Sequence, residues 1–306
     1  MKRRIVPFVA AVVVSVTPAL FAQNARSAVS IAGVDTNPCT VASPCRSFAA
    51  AMSHTNPGGE IIALTSGGFG SFTVDRSVTV QAAPGVYAGV TATFGDGITV
   101  NAGSGAKVIL RNLFVNGGSF GGAAGISVPA SGEETNIENC VISGFNLAGV
   151  NASFNVHVSD TTIRNCAYGV FVDRPDGPVT AVIERAQIAA IHYGGSELLG
   201  IGILAQRNAT VTVRDTLVSD ADLGMQAWDG PLLVENSFVT GCPIGIQSRG
   251  VASMVRLSNT VVTAGGKGIS CGSSMATVET WDNNKVRGNS LFDLSPTCTW
   301  THLSQN

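Results

Sequence analysis

The sequence predicts an all-β solenoid in which short three-strand units stack along one axis. Three observations predict it. Short strands of similar pattern recur through most of the chain, anchored at Leu110, Ile137, Val158, Ile183, Val213, Val234, Leu257 and Trp281. Two positions after each anchor stand Asn112, Asn139, Asp160, Arg185, Asp215, Asn236, Asn259 and Asn283, and only Arg185 departs from Asn or Asp. Between these segments lies a second strand type that opens on Gly, at Gly97, Gly125, Gly149, Gly169, Gly202, Gly224, Gly245 and Gly268. The local pattern is constant while the spacing varies, which describes a fixed structural unit joined by loops of different length.

Composition agrees. Charged residues make up 12% of the chain, apolar ones 45%, and 36 of the 306 residues are Gly. Such a chain has too much apolar content to be disordered. Its 18 basic and 20 acidic residues nearly cancel, which excludes a nucleic-acid binder driven by release of counterions. Glycine runs such as SGGFGS lead into no helix, so no phosphate cradle is expected.

The chain begins MKRRIVPFVAAVVVSVTPALFA. Lys2, Arg3 and Arg4 precede an apolar stretch, and Ala22 offers a small cleavage residue, so residues 1–22 read as a secretory signal peptide. Export permits disulfides. Cys39 and Cys45 flank a short Pro-containing loop and are expected to pair. Cys271 with Cys298 is the second expected pair, and Cys140, Cys166 and Cys242 read as buried thiols. Residues 29–66 are expected to form an N-terminal cap and first rung, 67–290 the repeats, and 291–306 a C-terminal cap or tail, with Phe292, Leu294 and Trp300 as its apolar residues.

Within each unit the anchor strand runs into the Asn position. Asn and Asp tolerate the left-handed backbone that a sharp bend requires, and their amides can bond along a stack. A second short strand follows, and then the Gly-led strand with its period of two. One unit cannot bury its inner face, but stacked units can. No long window has a 3.6-residue period, which excludes a helical bundle. An immunoglobulin-like sandwich gives no reason for an Asn column, and the leucine pattern of leucine-rich repeats is missing.

The Asn column and the three-strand unit resemble the right-handed parallel β-helix of the pectate lyase-like superfamily, over roughly residues 60–290. The N-terminal run SIAGVDTNPCTVASPCRSFAAAM followed by PGGEIIAL is similar to the entry of small secreted bacterial proteins of this type. The resemblance implies a short capping helix, here over Arg46–Ser53 with Phe48, Ala51 and Met52 on its buried side. It also implies that the Gly-led strand face is the polysaccharide groove.

Alternation sorts the Gly-led strands. Ile98, Ile126, Val150, Val170, Ile203, Met225, Ile246 and Ile269 point inward. The outward residues make a stripe of amides, rings and a few charges, from which Asn151, Phe171, Asp173, Gln206, Gln226, Trp228, Gln247 and Arg249 are the expected ligand-binding set. Rings offer flat apolar faces to sugar C–H groups, and amides bond hydroxyls. For catalysis the best assembly is Asp173, Arg207 and Asp229. It matches neither the paired carboxylates of a hydrolase nor the calcium-binding carboxylates of a lyase. His157 and His192 have no companions in the sequence and are not expected to be ligands. The second strand of each unit carries an outward strip, Phe114, Val141, Thr162, Gln187, Leu217, Phe238, Val261 and Lys285, with an apolar middle. The 188–200 insertion is placed to cover that strip or to wall the Gly-led groove.

The expected role is a secreted or periplasmic, non-catalytic protein that binds a polysaccharide or surface glycan along its Gly-led face. No cofactor, no nucleic acid and no membrane insertion after signal removal are expected. The alternatives are a polysaccharide lyase or glycoside hydrolase, with calcium only in the lyase case, and a structural protein that self-associates through the apolar strip.

Overall fold

A computed structural model describes residues 23–118, 121–130, 134–192 and 199–303. The expected signal peptide and residues 193–198 of the long insertion lie outside the described residues.

The strands form three parallel sheets, one of twelve strands and two of ten, in a solenoid of about nine turns. The anchor strands build the twelve-stranded sheet. The strands after the Asn turn build the second sheet and the Gly-led strands the third. Every ladder is parallel, as when Ile137 pairs with Leu110 and Val158. The anchors are buried, from Leu110 to Leu257, and the Gly-led strands bury their expected residues, Ile98 to Ile269. The interior is a column of Val, Ile, Leu and Ala running the length of the described solenoid.

The Asn column works as a bend. Asn112, Asn139, Asp160, Arg185, Asp215, Asn236 and Asn259 all have left-handed φ between 45° and 59°. The ladder runs in pieces. Asn139 Nδ2 donates to Asn112 Oδ1 at 2.7 Å, and Asn259 Nδ2 to Asn236 Oδ1 at 2.7 Å. Between them Arg185 replaces an amide, and its guanidinium makes two bonds to the Asp160 carboxylate. The last unit departs from expectation. Thr280, not Trp281, pairs with Leu257, and Lys285 pairs with Val261. One extra residue therefore enters this turn, Asn283 is not left-handed, and its side chain instead accepts from the Asn259 N–H.

A second bend joins the second sheet to the third. It carries a left-handed column of Gly144, Asn165, Ala190, Asp220, Gly241, Ala264 and Gly288. The eight glycines that open the Gly-led strands have a different cause. A Cβ on Gly224 would lie 2.5 Å from the Gly245 carbonyl oxygen and 2.6 Å from Val239 Cγ1. The other seven meet the backbone of the next rung and a branched side chain of the second sheet in the same way. Close approach of rungs, rather than backbone freedom, selects Gly here.

At the N-terminal end, Asn24–Val29 pairs with Thr55–Ala63 and so lies ahead of the expected cap boundary. The helix Phe48–His54 buries Phe48, Ala51 and Met52 as expected. Ser47 caps it by accepting from the Ala50 N–H, and Asp35 binds the Arg46 and Ser47 N–H groups. The Phe48 ring lies 5.1 Å from both Phe69 and Phe72, sealing the first rungs. Cys39–Cys45 and Cys271–Cys298 are disulfides, and Cys140, Cys166 and Cys242 are free and buried, as the sequence suggested. The tail contributes two more strands, Phe292–Leu294 in the Gly-led sheet and Thr299–His302 in the anchor sheet.

Candidate functional site on the Gly-led face

The outward row of the Gly-led sheet is in register from rung to rung. Thr99, Ser127, Asn151, Phe171, Leu204, Gln226, Gln247 and Ser270 pair in that order. Adjacent rungs stand about 4.8 Å apart. A parallel row forms two residues on, where Asp173, Gln206, Trp228 and Arg249 occupy successive rungs. The structure thus brings the expected binding residues onto one face.

Their environments differ. Asn151, Phe171, Asp173, Gln206, Trp228 and Gln247 are half-buried, Arg249 is exposed, and Gln226 is only 1% exposed. Gln226 Nε2 donates to Gln247 Oε1 at 2.5 Å, and Gln247 Nε2 to Ser270 Oγ at 3.4 Å. Gln226 therefore orders an amide chain beneath the surface, while Gln247 presents it. The Arg249 guanidinium lies over the Trp228 ring, 4.1 Å from its centroid. Such a contact stiffens the indole, which also packs against the apolar cluster of this face.

Alternation along the strands does not capture the whole face. Tyr168, Ile201, Leu223 and Ile244, each standing before the Gly, gather with Phe171, Leu204 and Trp228 into an apolar cluster separate from the solenoid interior. Tyr168 and Phe171 have ring centroids 5.3 Å apart. The signal was present as a large apolar residue before Gly, but a strict period of two assigns that position to the inside.

The charged residues assemble only in part. Arg207 forms a two-bond ion pair with Asp173, with Nε at 2.9 Å from Oδ1 and Nη2 on Oδ2. Hydrogen bonding to Asp173 holds the Arg207 guanidinium above its ordinary range. Asp229 stands two rungs from Asp173, about 10 Å along the stack, and its carboxylate packs against Gly250. Among the described residues it has no ion pair. The expected catalytic set is thus a pair, with both Asp173 oxygens occupied by Arg207. Asp176 adds to the field at Arg207.

The expectation that the histidines stand alone is corrected. His157 Nε2 lies 3.1 Å from Glu184 Oε1. His192 Nδ1 lies 2.9 Å from Asp222 Oδ1, and its Nε2 lies 3.4 Å from Asp220 Oδ1. Asp222 Oδ2 also accepts the Gly200 N–H at 2.8 Å. Hydrogen bonding to Asp222, with the charges of both carboxylates, raises the His192 pKa. This group borders the Gly-led face at Leu223, on the side away from Trp228. The repeat itself joins it: His192 and Asp222 each stand nine residues past an anchor, Ile183 and Val213, and follow the ladder pair Ile191 and Ala221.

Among the described residues one set of three metal-ligating types comes together, Cys39, Cys45 and His54, and its two sulfurs are bonded to each other. The sequence had placed no histidine near that pair. On the second sheet the outward strip is in register, with Phe114, Leu217 and Phe238 exposed.

The family model for the right-handed β-helix region matches residues 143–302, just over half of the chain. The chain belongs to the right-handed β-helix family. No curated protein matches its sequence. Solved structures extend the likeness across this β-helix. The GH136 lacto-N-biosidase from Eubacterium ramulus superposes with a TM-score of 0.59 at 10% identity, covering 92% of this chain and 67% of its own. The alginate lyase from a Paenibacillus species gives 0.55 at 14% identity, covering 87% and 97%. At these identities the likeness is one of fold alone, that of the right-handed parallel β-helix. No helix among the described residues is long and apolar enough to cross a membrane.

Proposed function

We propose that this β-helix is an exported carbohydrate-binding protein whose Gly-led face holds a polysaccharide chain without cleaving it. The observation that carries the reading is the face itself. Half-buried rings of Tyr168, Phe171 and Trp228 share it with the amides of Asn151, Gln206 and Gln247. Rows of rings and amides repeating at the rung spacing match a linear polymer with repeating hydroxyls. The two disulfides fit an oxidising compartment. The neighbouring folds named as a lacto-N-biosidase and an alginate lyase are in keeping with a carbohydrate partner.

The second reading is a polysaccharide lyase or hydrolase, and one observation favours it. His192, held between Asp220 and Asp222, which raise its pKa, stands at the border of the same face as a candidate proton donor. Asp173 supports it less, because Arg207 occupies both of its oxygens.

The test is native affinity electrophoresis in gels carrying acidic and neutral polysaccharides, with and without calcium, each lane assayed for chain cleavage. Retardation without cleavage, lost in Trp228→Ala at an unchanged Tm, is the expected result. Cleavage lost in His192→Gln would replace the binding reading with the enzymatic one. Neither retardation nor cleavage across the panel would overturn both.

A further inference from the structure

The first described rungs carry a second cleft on a different face. Its wall is the turn Ala83–Tyr87, its floor is Phe114 and Val141 of the second sheet, and its far edge is the amide pair Asn112 and Asn139. Its volume is about 480 Å³, within the ~300–1,000 Å³ usual for small-molecule clefts.

The aromatic pair in it is built by a missing side chain. Gly89 pairs with Phe114 across the sheet and so occupies the outward column. A Cβ there would meet Tyr87 Cε1 at 2.9 Å and its Oη at 3.2 Å. The Tyr87 ring thus lies where the Gly89 side chain would stand, with its centroid 4.6 Å from that of Phe114. Both rings are left in solvent, Tyr87 at 47% and Phe114 at 36% exposure. The ring planes are tilted by 39°, so the rings partly cover each other, and the pair, held in place and still exposed, offers a preformed apolar surface at little ordering cost.

The polar atoms beside the ring pair are unused. Among the described residues the Tyr87 hydroxyl and the Asn139 Oδ1 have no hydrogen-bond partner, while Asn139 Nδ2 is tied to Asn112. A hydroxyl that donates or accepts and an amide oxygen that accepts therefore flank the ring pair. Among the described residues no charged side chain lines the cleft.

We infer that this cleft is a second carbohydrate site, taking one neutral pyranose ring packed against the tilted Tyr87–Phe114 pair with its hydroxyls on Tyr87 Oη and Asn139 Oδ1. It shares no residue with the Gly-led face, so it stands or falls independently of the reading above. A chain bound at both would be held at two points, which raises avidity without new contacts.

The probes are the methyl glycosides of glucose, galactose, mannose and N-acetylglucosamine, followed by saturation-transfer NMR on the intact protein. The Trp228→Ala background weakens the Gly-led face, and the cleft substitutions assign the transfer that remains to this cleft. In that background at least one glycoside is expected to give transfer. Tyr87→Ala and Phe114→Ala are each expected to weaken it by about tenfold. Tyr87→Phe should lose less, because it keeps the ring pair. Gly89→Ala keeps every cleft side chain but pushes Tyr87 aside, and should weaken binding with the fold intact by circular dichroism. Transfer unaffected by these four substitutions, or absent for all glycosides in that background, would overturn the inference. So would a dimer by light scattering that Phe114→Asp converts to monomer, which would assign the cleft to a second copy.

Discussion

Replacing Gly224 by Ala tests the packing that makes the Gly-led face possible. The new Cβ would sit 2.5 Å from the Gly245 carbonyl oxygen and 2.6 Å from Val239 Cγ1. Neither is the end of a flexible chain. The carbonyl belongs to the next rung, and Val239 is fully buried. Overpacking of a rigid site costs roughly 1–3 kcal/mol, and two simultaneous clashes place this change at about 3 kcal/mol or more. Two other glycines separate the causes. Gly85 has φ +76° and open space around its missing Cβ, so Gly85→Ala carries only the left-handed penalty of about 1–2 kcal/mol. Gly103 has open space and no such φ. Gly103→Ala should therefore be neutral, or stabilising by up to about 1 kcal/mol through a stiffer unfolded chain. Urea midpoints followed by circular dichroism give the order, with m-values checked for loss of two-state behaviour in a stacked array. If Gly224→Ala loses no more than Gly85→Ala, close rung approach is not what selects these glycines.

Three further outcomes are expected. Asn139→Ala places a methyl side chain at φ 49° and removes the bond to Asn112, for a loss of about 2 kcal/mol, whereas Asn139→Gly relieves the backbone and should lose about half as much; equal midpoints for the two variants would show that the left-handed backbone contributes nothing. The His192 pair favours the imidazolium, so its stabilisation is complete below the unfolded value near 6.5 and is lost as pH rises through the raised folded value; an NMR titration of the His192 ring should show that raised midpoint and its return toward 6.5 in Asp222→Asn, and a midpoint unchanged by that substitution would refute the assignment. Burial pushes the Cys140 thiol up to about 12 and Cys166 to about 11, and raises Cys242 as well; the native protein should be silent to a disulfide-type thiol reagent at pH 8 and release three equivalents in denaturant, and any fast native equivalent would contradict the burial.

The features legible in the sequence are those set by contacts that repeat at one offset. The bend at Asn112 and its successors is written in residue type, because few side chains accept a left-handed φ. The companion bend is built from Gly144, Asn165, Ala190 and Asp220, and so mixed a set does not stand out as a column. Arg185 marks the boundary between the two cases. It adopts φ 50° without being Asn or Asp, and Asp160 one rung back supplies the contact that an amide ladder would have made. The same logic divides the candidate sites. Phe171, Gln226 and Gln247 share a fixed distance from their Gly, so alternation places them in one row. His192 and Asp222 also share one offset, nine residues past the anchors Ile183 and Val213, and the ladder that pairs Ile191 with Ala221 carries them to neighbouring rungs, but that offset lies just beyond the strands, where the strand pattern alone gives no signal. Tyr87 joins Phe114 for a third reason. Gly89 vacates a position in the outward column, and an absent side chain shows what fills its place only when the rungs are stacked. Chemistry in a solenoid of this kind is therefore easiest to miss just outside the strands, and His192, Asp222 and Tyr87 all stand there.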